Sequence, residues 1–255
     1  MIKIINTRPE GGSLFHYAHF MCDCLYIEII NDIFKYDKVL RIKNLDQTLG
    51  NFKDIYEEVM GNQSIEISNE EFNNISDEPI ILKGKNSYNL DDMNKFRNFI
   101  FDRYSINPNI YDIEYPEIVL IKRGNRKQLI NDPELQKINK NKTNGKERRE
   151  INNIEFIGKT LKQLYSDKFK SYFLENQSFE EQIKIFNNAK LIIMAHGAGM
   201  SNLFFCKSGT TIIEVTCDIK WKFFDLISKE LKLNHIKINT NKSNIILNYI
   251  KEFHK

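Results

Sequence analysis

The stretch Lys190–Thr216, KLIIMAHGAGMSNLFFCKSGTTIIEVT, carries the clearest secondary-structure pattern in the chain. It holds two apolar runs of strand length, Leu191–Met194 and Thr211–Val215, and a turn of small and polar residues adjoins each. Continuous runs of this kind are typical of parallel strands that are covered on both faces. Ligands of such sheets bind beyond the carboxyl ends of the strands. We expect both turns to lie at those ends, so their polar residues are the first candidates for a functional site.

Length and composition describe a globular protein with no sign of nucleic-acid or membrane binding. The chain has 255 residues, of which 41% are hydrophobic and 28% are charged, and its net charge is only +3. This length suits one large domain or two small ones, and so small a charge gives no case for a nucleic-acid partner. No apolar run approaches the ~20 residues that a membrane span needs. The N-terminus fits a strand and a loop better than a signal peptide.

The cysteines indicate a reducing environment. They are Cys22, Cys24, Cys206 and Cys217. The first two form a C-x-C pair, which is too close for ordinary bridging and lacks the second half of a zinc knuckle. We interpret all four as free thiols in a reducing compartment.

Strands and helices alternate twice along the chain, which predicts an α/β protein with two Rossmann-like halves. The proline-containing break INPNIYDIEYPE, 106–117, is the best linker. We expect an N-terminal domain over 1–110, a second domain over 111–242 and a closing helix over 243–255. The Lys- and Asn-rich segment 133–149 is predicted to be a mobile insertion. The expected strands cover 2–6, 38–42, 64–67, 79–83, 117–122, 170–174, 191–194, 211–215 and 235–238, and the expected helices cover 14–34, 52–60, 90–104, 151–165, 179–188, 221–231 and 243–253.

The first turn of the opening stretch combines two glycines with a histidine. Gly197 and Gly199 would let backbone N–H groups approach a ligand closely, and a helix opening at Gly199 would favour an anion such as pyrophosphate. His196 stands where it could donate to a phosphate oxygen. The alternative is a tight turn that needs glycine for a positive φ. HGAGMSN holds only one spacing of the pattern G-x-G-x-x-G, which argues against a dinucleotide cofactor and an oxidoreductase.

The second turn and the strand after it offer further polar groups. Ser208, Gly209 and Thr210 supply N–H and hydroxyl donors. Glu214 lies inside an apolar strand, where a carboxylate is costly unless it is hydrogen-bonded. A ribose diol is a natural partner for this carboxylate, and the alternative is a structural hydrogen bond to the N-terminus of a neighbouring helix.

Three arginines are candidates for phosphate binding. Arg123 follows the strand EIVLIK at its carboxyl end and could counter phosphate charge with a planar fork that lysine lacks. Arg148 and Arg149 form a second basic pair. The alternative for each is a solvated side chain at the surface.

The N-terminal helix carries the candidates for a general base. His16, His19 and Asp23 are spaced i, i+3 and i+7, so we expect them on roughly one helix face, with Ser13 as N-cap. A carboxylate one turn from a histidine can orient the imidazole as a base. The alternative is a helix whose polar residues merely face a cleft. These spacings fit no standard set of metal ligands.

Taken together, these motifs resemble glycosyltransferase family 61, the DUF563 group. The main segment is Glu175–Glu214, ENQSFEEQIKIFNNAKLIIMAHGAGMSNLFFCKSGTTIIE, which is similar to the family pattern with few departures. The chain's IVLIKRG followed by ERREINN is similar to the family's strand-Arg and Arg-Arg-x-x-N elements. FHYAHFMCDCL is similar to its aromatic-His-x-x-x-Asp helix, which places His19 and Asp23 on the motif and leaves His16 as an addition.

The resemblance implies a GT-B-like fold, in which two Rossmann-like domains face a central cleft and the C-terminal one holds a nucleotide-sugar donor. It implies transfer of a sugar, from UDP above all, to a glycan or protein hydroxyl, with inversion and without a metal or other required cofactor. Because the N-terminal half is short for this family, we expect a reduced acceptor domain. The membrane anchor or secretory signal of eukaryotic members is not seen, which implies a cytoplasmic enzyme, in the host cytoplasm if it is viral.

Residue roles carry over from the resemblance. His19 and Asp23 would serve the acceptor side as the catalytic base, Arg123 would meet the pyrophosphate and Glu214 the ribose. A nucleotide- or glycan-binding protein that has lost catalysis stays open as a second class of function. The expected donor-binding residues are Arg123, His196, Gly197, Ala198, Gly199, Asn202, Gly209, Thr210 and Glu214, with His16, Arg148 and Arg149 as additional candidates.

Overall fold

The structure is a computed structural model that describes residues 1–8, 12–84, 87–124, 133–138, 151–216, 222–240 and 242–252. The chain divides by its internal contacts into two units. The first unit comprises Met1–Ser105 with Lys127–Lys142, and the second comprises Ile106–Arg126 with Thr143–Lys255. The closing helix of the chain therefore belongs to the second unit.

The first unit contains a four-stranded parallel sheet with the strand order β3-β2-β1-β4. Its strands are β1 (Ile2–Thr7), β2 (Lys38–Ile42), β3 (Gln63–Ile67) and β4 (Ile80–Lys83). The helices are α1 (Tyr17–His19), which continues through a π-helical turn (Phe20–Leu25) into α2 (Tyr26–Ile30), then α3 (Lys53–Met60), α4 (Asn69–Asn74), α5 (Leu90–Arg103) and α6 (Pro133–Ile138).

The N-terminal helix starts later than its apolar pattern predicts. Its N-cap is His16, whose φ of −96° and ψ of 128° are extended, so the expected cap at Ser13 is wrong. Ser13 instead accepts a hydrogen bond at its backbone oxygen from the His16 N–H, 3.0 Å away. The helix ends before Asp32, which adopts a left-handed φ of 59°.

Two helices of the first unit, α4 and α6, were not predicted from the sequence. A capping box begins α4, because the Ser68 hydroxyl accepts from the Glu71 N–H at 3.1 Å and the Glu71 carboxylate accepts from the Ser68 N–H at 2.9 Å. The helix α6 lies within the segment that was expected to be a mobile insertion. Leu135 of α6 is buried against Phe15, so this expectation is wrong for Pro133–Ile138.

The second unit contains a five-stranded parallel sheet with the order β6-β5-β7-β8-β9. Its core joins the buried faces of the central strands to apolar positions of the flanking helices. The strands are β5 (Ile118–Lys122), β6 (Phe169–Phe173), β7 (Leu191–Ala195), β8 (Thr211–Val215) and β9 (Asn234–Ile238). The helices are α7 (Ile154–Tyr165), α8 (Phe179–Asn188), α9 (Phe223–Glu230) and α10 (Ser243–Glu252).

The main fold prediction is confirmed, since the protein is α/β with two parallel, Rossmann-like sheets. The predicted cap of α8 is also confirmed, because the Ser178 hydroxyl accepts from the Glu181 N–H at 3.1 Å. Cys22, Cys24 and Cys206 are buried thiols that form no disulfide within the described part of the chain, in line with the prediction, whereas Cys217 lies outside the described residues.

Candidate functional site

The first sheet reverses its strand order between β1 and β4, and this position is where ligands of open α/β sheets bind. The two strands end at Thr7 and Lys83. Just beyond them, the Gly84 N–H donates to the Thr7 carbonyl oxygen at 2.7 Å. The carboxyl ends of β1 and β4 therefore form the floor of a candidate site, which we call the β1/β4 edge.

His19 and Asp23 lie above this edge and interact directly. His19 Nδ1 lies 2.7 Å from Asp23 Oδ2, and their side chains are 35% and 15% exposed. When the aspartate is ionised, Nδ1 carries the proton of this bond and Nε2 is the basic nitrogen of the neutral ring. The pair therefore has the geometry of a histidine base oriented by a carboxylate. His16 is not on this helix face, because it precedes the helix in an extended conformation, and its ring centroid is 6.5 Å from that of His19.

Two glycines make room for the pair. A Cβ added to Gly84 would lie 2.5 Å from Asp23 Oδ1 and 3.2 Å from the Thr7 carbonyl oxygen. A Cβ added to Gly12 would overlap the His19 ring at Nε2, and Gly12 also has a φ of +109°. Both loops thus approach the pair more closely than residues with side chains allow.

A π-helical turn holds Asp23 in place. Within Phe20–Leu25 the backbone hydrogen bonds reach back five residues instead of four, so that the Tyr26 N–H donates to the Met21 carbonyl oxygen. Turns of this kind are rare and often mark functional sites. The Asp23 carbonyl oxygen accepts a hydrogen bond from outside the helix, given by Asn6 Nδ2 at 2.8 Å. Asn6 belongs to β1, so this bond fixes Asp23 to the central strand of the sheet.

A buried ion pair supports Asn6 in turn. Arg41 Nη1 donates to Asn6 Oδ1 at 2.8 Å, and Arg41 Nη2 contacts both oxygens of Glu28 at 2.7 and 2.8 Å. The Arg41 and Glu28 side chains are wholly buried. Tyr56 adds a hydroxyl donor to Glu28 at 2.7 Å. Burial raises the pKa of the neighbouring Cys24 thiol, which keeps it from being a reactive thiolate. In the sequence, this ion pair was indicated by one charged residue inside each of two apolar elements, Glu28 in α2 and Arg41 in β2.

The second sheet reverses its strand order between β5 and β7. Arg123 follows β5, and His196 with Gly197 follows β7, so the structure brings these predicted residues together at one edge. A Cβ added to Gly197 would overlap the Arg123 guanidinium at Nη2. The φ of Gly197 is 162°, which is extended backbone, so glycine serves close approach here and not a left-handed turn. We call this cluster the β5/β7 edge.

His196 is tied to Glu214 and through it to His235. Its Nδ1 lies 2.5 Å from Glu214 Oε1, and His235 Nε2 lies 2.8 Å from Glu214 Oε2. Burial alone would raise the pKa of the Glu214 carboxyl, but the hydrogen bonds and charges of the two histidines outweigh it and lower the pKa to about 2. Glu214 is 1% exposed with both oxygens engaged, so a direct ribose contact would require one histidine to move.

His235 was not predicted from the sequence as a site residue. The chain of polar contacts continues beyond it. His235 Nδ1 is buried without a hydrogen-bond partner in the described part of the chain, and it lies 3.5 Å from Asp225 Oδ1. Asp225 Oδ2 accepts from Lys237 at 2.7 Å. Single ligand atoms of Glu214, Asp225 and His235 lie within 4.8 Å of one another, as a cation site would need. A cation would compete there with two imidazoles and with Lys237, so the group is better suited to orienting His196 than to binding a metal.

Other predicted donor residues take different positions. Ala198 is half-buried and begins a 3₁₀ helix that runs to Phe205. Asn202 is wholly buried within that helix, and its Nδ2 donates to Gln182 Oε1 of α8 at 2.9 Å. A Cβ added to Gly199 would lie 2.8 Å from Leu174 Cδ1, which indicates a packing role.

The second glycine turn does not lie at a carboxyl end, so that expectation is wrong. β7 and β8 are parallel with Leu191 opposite Thr211, and the turn that contains Gly209 and Thr210 precedes β8. The chain returns through the 3₁₀ helix to the amino edge before β8 starts, and there Thr210 Oγ1 donates to the Ala189 carbonyl oxygen at 3.2 Å. Gly209 has a φ of +83°, which glycine adopts without strain. Gly209 and Thr210 are therefore separated from His196 by the length of a strand.

Some predictions fall outside the described residues or concern the chain as a whole. Arg148 and Arg149 lie outside the described residues. In the part of the chain that the structure describes, no helix has both the length and the apolar character to cross a membrane.

Comparison with known proteins identifies the family. The family model described as Glycosyltransferase 61 matches residues 17–213, well over half of the chain. The match contains His19, Asp23, Arg123 and His196 and ends one residue before Glu214. A search of curated proteins gave no match. The resemblance found in the sequence is thus confirmed, and it supports glycosyl transfer as the class of activity. The chain belongs to glycosyltransferase family 61.

Proposed function

We propose that the protein transfers a sugar from a nucleotide-sugar donor, with UDP as the nucleotide, to a hydroxyl of a glycan or protein acceptor. One observation carries the proposal: each of the two sheets has a polar cluster at the edge where its strand order reverses. The β5/β7 edge has an arginine and a histidine that we assign to a diphosphate, and the β1/β4 edge has a histidine that contacts a carboxylate. The GT-B-like cleft that would bring both to one donor and one acceptor stays a prediction.

The donor diphosphate is assigned to Arg123 and His196. Glu214 Oε1 contacts His196 Nδ1 and fixes the orientation of the imidazole. The nitrogen that does not contact Glu214 is the donor that we assign to a phosphate oxygen. Arg123 adds a permanent charge beside the Gly197 backbone. In this assignment Glu214 positions His196 and does not bind the ribose itself.

The transfer step is assigned to His19. Its Nε2 accepts the proton of an acceptor hydroxyl as the oxygen attacks the anomeric carbon, and the bond from that carbon to the diphosphate breaks. Asp23 stabilises the imidazolium that forms. Attack opposite the departing diphosphate inverts the anomeric centre. Donors held in advance where charge develops supply the largest contribution in many such reactions, and Arg123 and His196 would provide it without a metal ion.

The test combines donor binding with product release. Nucleotide sugars are screened by thermal shift, since a ligand bound by the native state stabilises it, and release of nucleoside diphosphate is then followed with the stabilising donor. We expect His19→Ala to lower turnover by about 10²–10⁴-fold, the usual contribution of a general base, while the donor Kd stays the same. His196→Ala should weaken donor binding instead.

A matched control is Lys35→Ala. This variant removes an exposed i,i+3 ion pair with Asp32 in the same unit, 3.1 Å in length. Lys35→Ala should change neither the turnover nor the donor Kd. Full transfer by His19→Ala would contradict the base assignment, and donor binding without any release by the unaltered protein would favour a binding protein that has lost catalysis.

A further inference from the structure

Arg8 is the first residue after β1 and lies at the β1/β4 edge, where the first sheet reverses its strand order. Its Nη2 donates to the Asp46 carbonyl oxygen at 3.0 Å. Its other two nitrogens, Nε and Nη1, are buried, and neither has a hydrogen-bond partner among the residues that the structure describes. This arginine belongs to none of the motifs predicted from the sequence, and it precedes the part of the chain that the family model matches.

The same edge holds the His19–Asp23 pair. Thr7 and Arg8 share a peptide group whose oxygen accepts from the Gly84 N–H at 2.7 Å. A Cβ built on Gly84 would lie 3.2 Å from that oxygen and 2.5 Å from Asp23 Oδ1. The backbone of Arg8 and the carboxylate of Asp23 therefore meet around one glycine.

Two donors of one charged group that have no partner among the described residues need an explanation. A buried N–H without an acceptor loses its hydrogen bonds to water and gains nothing in return. Most such groups in proteins are paired, and the exceptions are explained by strain, by a role in the site, or by a bound water or ion. Both nitrogens are covered before a substrate binds, so an oxygen atom of a bound substrate would satisfy Nε–H and Nη1–H once the partly buried Arg8 side chain turns toward it.

The charges around Arg8 select among substrates. Burial lowers the pKa of the Arg8 guanidinium, while the carboxylates of Asp23 and Asp46 act in the opposite direction, and the group stays protonated. The Asp23 and Asp46 carboxylates thus already act on the charge of the arginine before any substrate arrives. An anionic substrate would add a third negative charge, whereas a neutral hydroxyl oxygen would accept from the arginine without this repulsion.

We propose that Arg8 binds the acceptor and that the acceptor is a neutral sugar, one of whose hydroxyl oxygens accepts from Nε–H or Nη1–H while His19 takes the proton of another. This inference rests on the proposed transfer function and adds to it the chemistry of the acceptor. Arg8 is accordingly a binding residue, and the proton moves only to His19.

The experiment measures release of nucleoside diphosphate with the stabilising UDP-sugar and three acceptor probes, p-nitrophenyl β-glucoside, p-nitrophenyl β-xyloside and p-nitrophenyl β-glucuronide. We expect the neutral glycosides to accelerate release and the glucuronide to do so poorly. In Arg8→Gln the KM for the better neutral glycoside should rise by roughly 10- to 100-fold, the loss expected when hydrogen bonds from a charged donor disappear. The donor Kd should not change.

Two more variants separate the causes. Arg8→Lys keeps the positive charge but not the planar set of donors, so its acceptor KM should rise as well; it also serves if Arg8→Gln folds poorly. Arg103→Gln is the control, because Arg103 also donates to a carbonyl, that of Glu58 at 2.6 Å, near Gly61 at the amino edge of the same sheet. It should leave all constants unchanged.

The outcomes are distinct. An unchanged acceptor KM in both Arg8 variants would mean that ordered water meets Nε and Nη1, and it would overturn the proposal. Preference for the glucuronide, or no acceleration by either neutral glycoside, would overturn it too. No release from any nucleotide sugar, with or without a probe, would contradict the proposed function itself.

Discussion

Glu214→Gln tests whether a buried carboxylate organises the β5/β7 edge. The substitution keeps the size of the side chain but replaces an ion that accepts from His196 and His235 with a neutral amide. The Glu214 carboxyl has a pKa of about 2 in the folded protein against an ordinary value of 4.5. At about 1.36 kcal/mol for each unit of difference, the native environment favours the ionised form by roughly 3 kcal/mol.

The sign of the pH dependence follows from the direction of this difference. Because the folded pKa is the lower one, the contribution is fully present above about pH 4.5 and is lost as the pH falls toward 2. Glu214→Gln should therefore be about 3 kcal/mol less stable than the unaltered protein at neutral pH. The gap should narrow on acidification by at most about 1.4 kcal/mol per pH unit.

The assay is urea unfolding followed by circular dichroism across this pH range, with hydrogen exchange of β8 amides to assign the loss to the second sheet. Glu117→Gln is the control, since Glu117 also forms an ion pair, with Lys190 at 2.7 Å, but at the surface. Surface pairs contribute about 0–1 kcal/mol, so this variant should change little. A Glu214→Gln protein as stable as its parent at neutral pH, or a gap that widens in acid, would refute the reasoning.

Three further changes probe other parts of the molecule. Gly84→Ala should abolish transfer, because its Cβ would displace Asp23 or the backbone at Thr7; normal single-turnover rates would contradict this. Arg41→Met should destabilise the first unit by about 3–5 kcal/mol in urea unfolding by leaving Glu28 buried without its cation, and adding Glu28→Met should recover most of that loss; no recovery would show that packing was the cause. Gly209→Ala should cost about 1–2 kcal/mol because its φ is +83°, and calorimetry should find donor binding unchanged, since the turn lies at the amino edge.

Secondary structure and contacts between residues close in the chain could be predicted from the sequence alone. The strands and most helices follow from apolar periodicity, and the His19–Asp23 contact follows from an i,i+4 spacing, because a helix brings such residues together without help from the rest of the chain. The Ser178 cap is local in the same sense. Motif spacing also sufficed for the family.

The tertiary structure alone decided which strands are neighbours, and with them the sites. Glu214 and His235 are 21 positions apart and meet because β8 pairs with β9. Strand order places Arg8 beside Asp23 at one edge, and it moves Gly209 away from His196. A period of two or 3.6 residues describes how one segment folds, but it carries no information on which segments pair, since pairing depends on contacts distant in the chain. The sequence by itself thus determined most of the helices and strands, the contact between His19 and Asp23, and the family, while the sheet order determined what surrounds them.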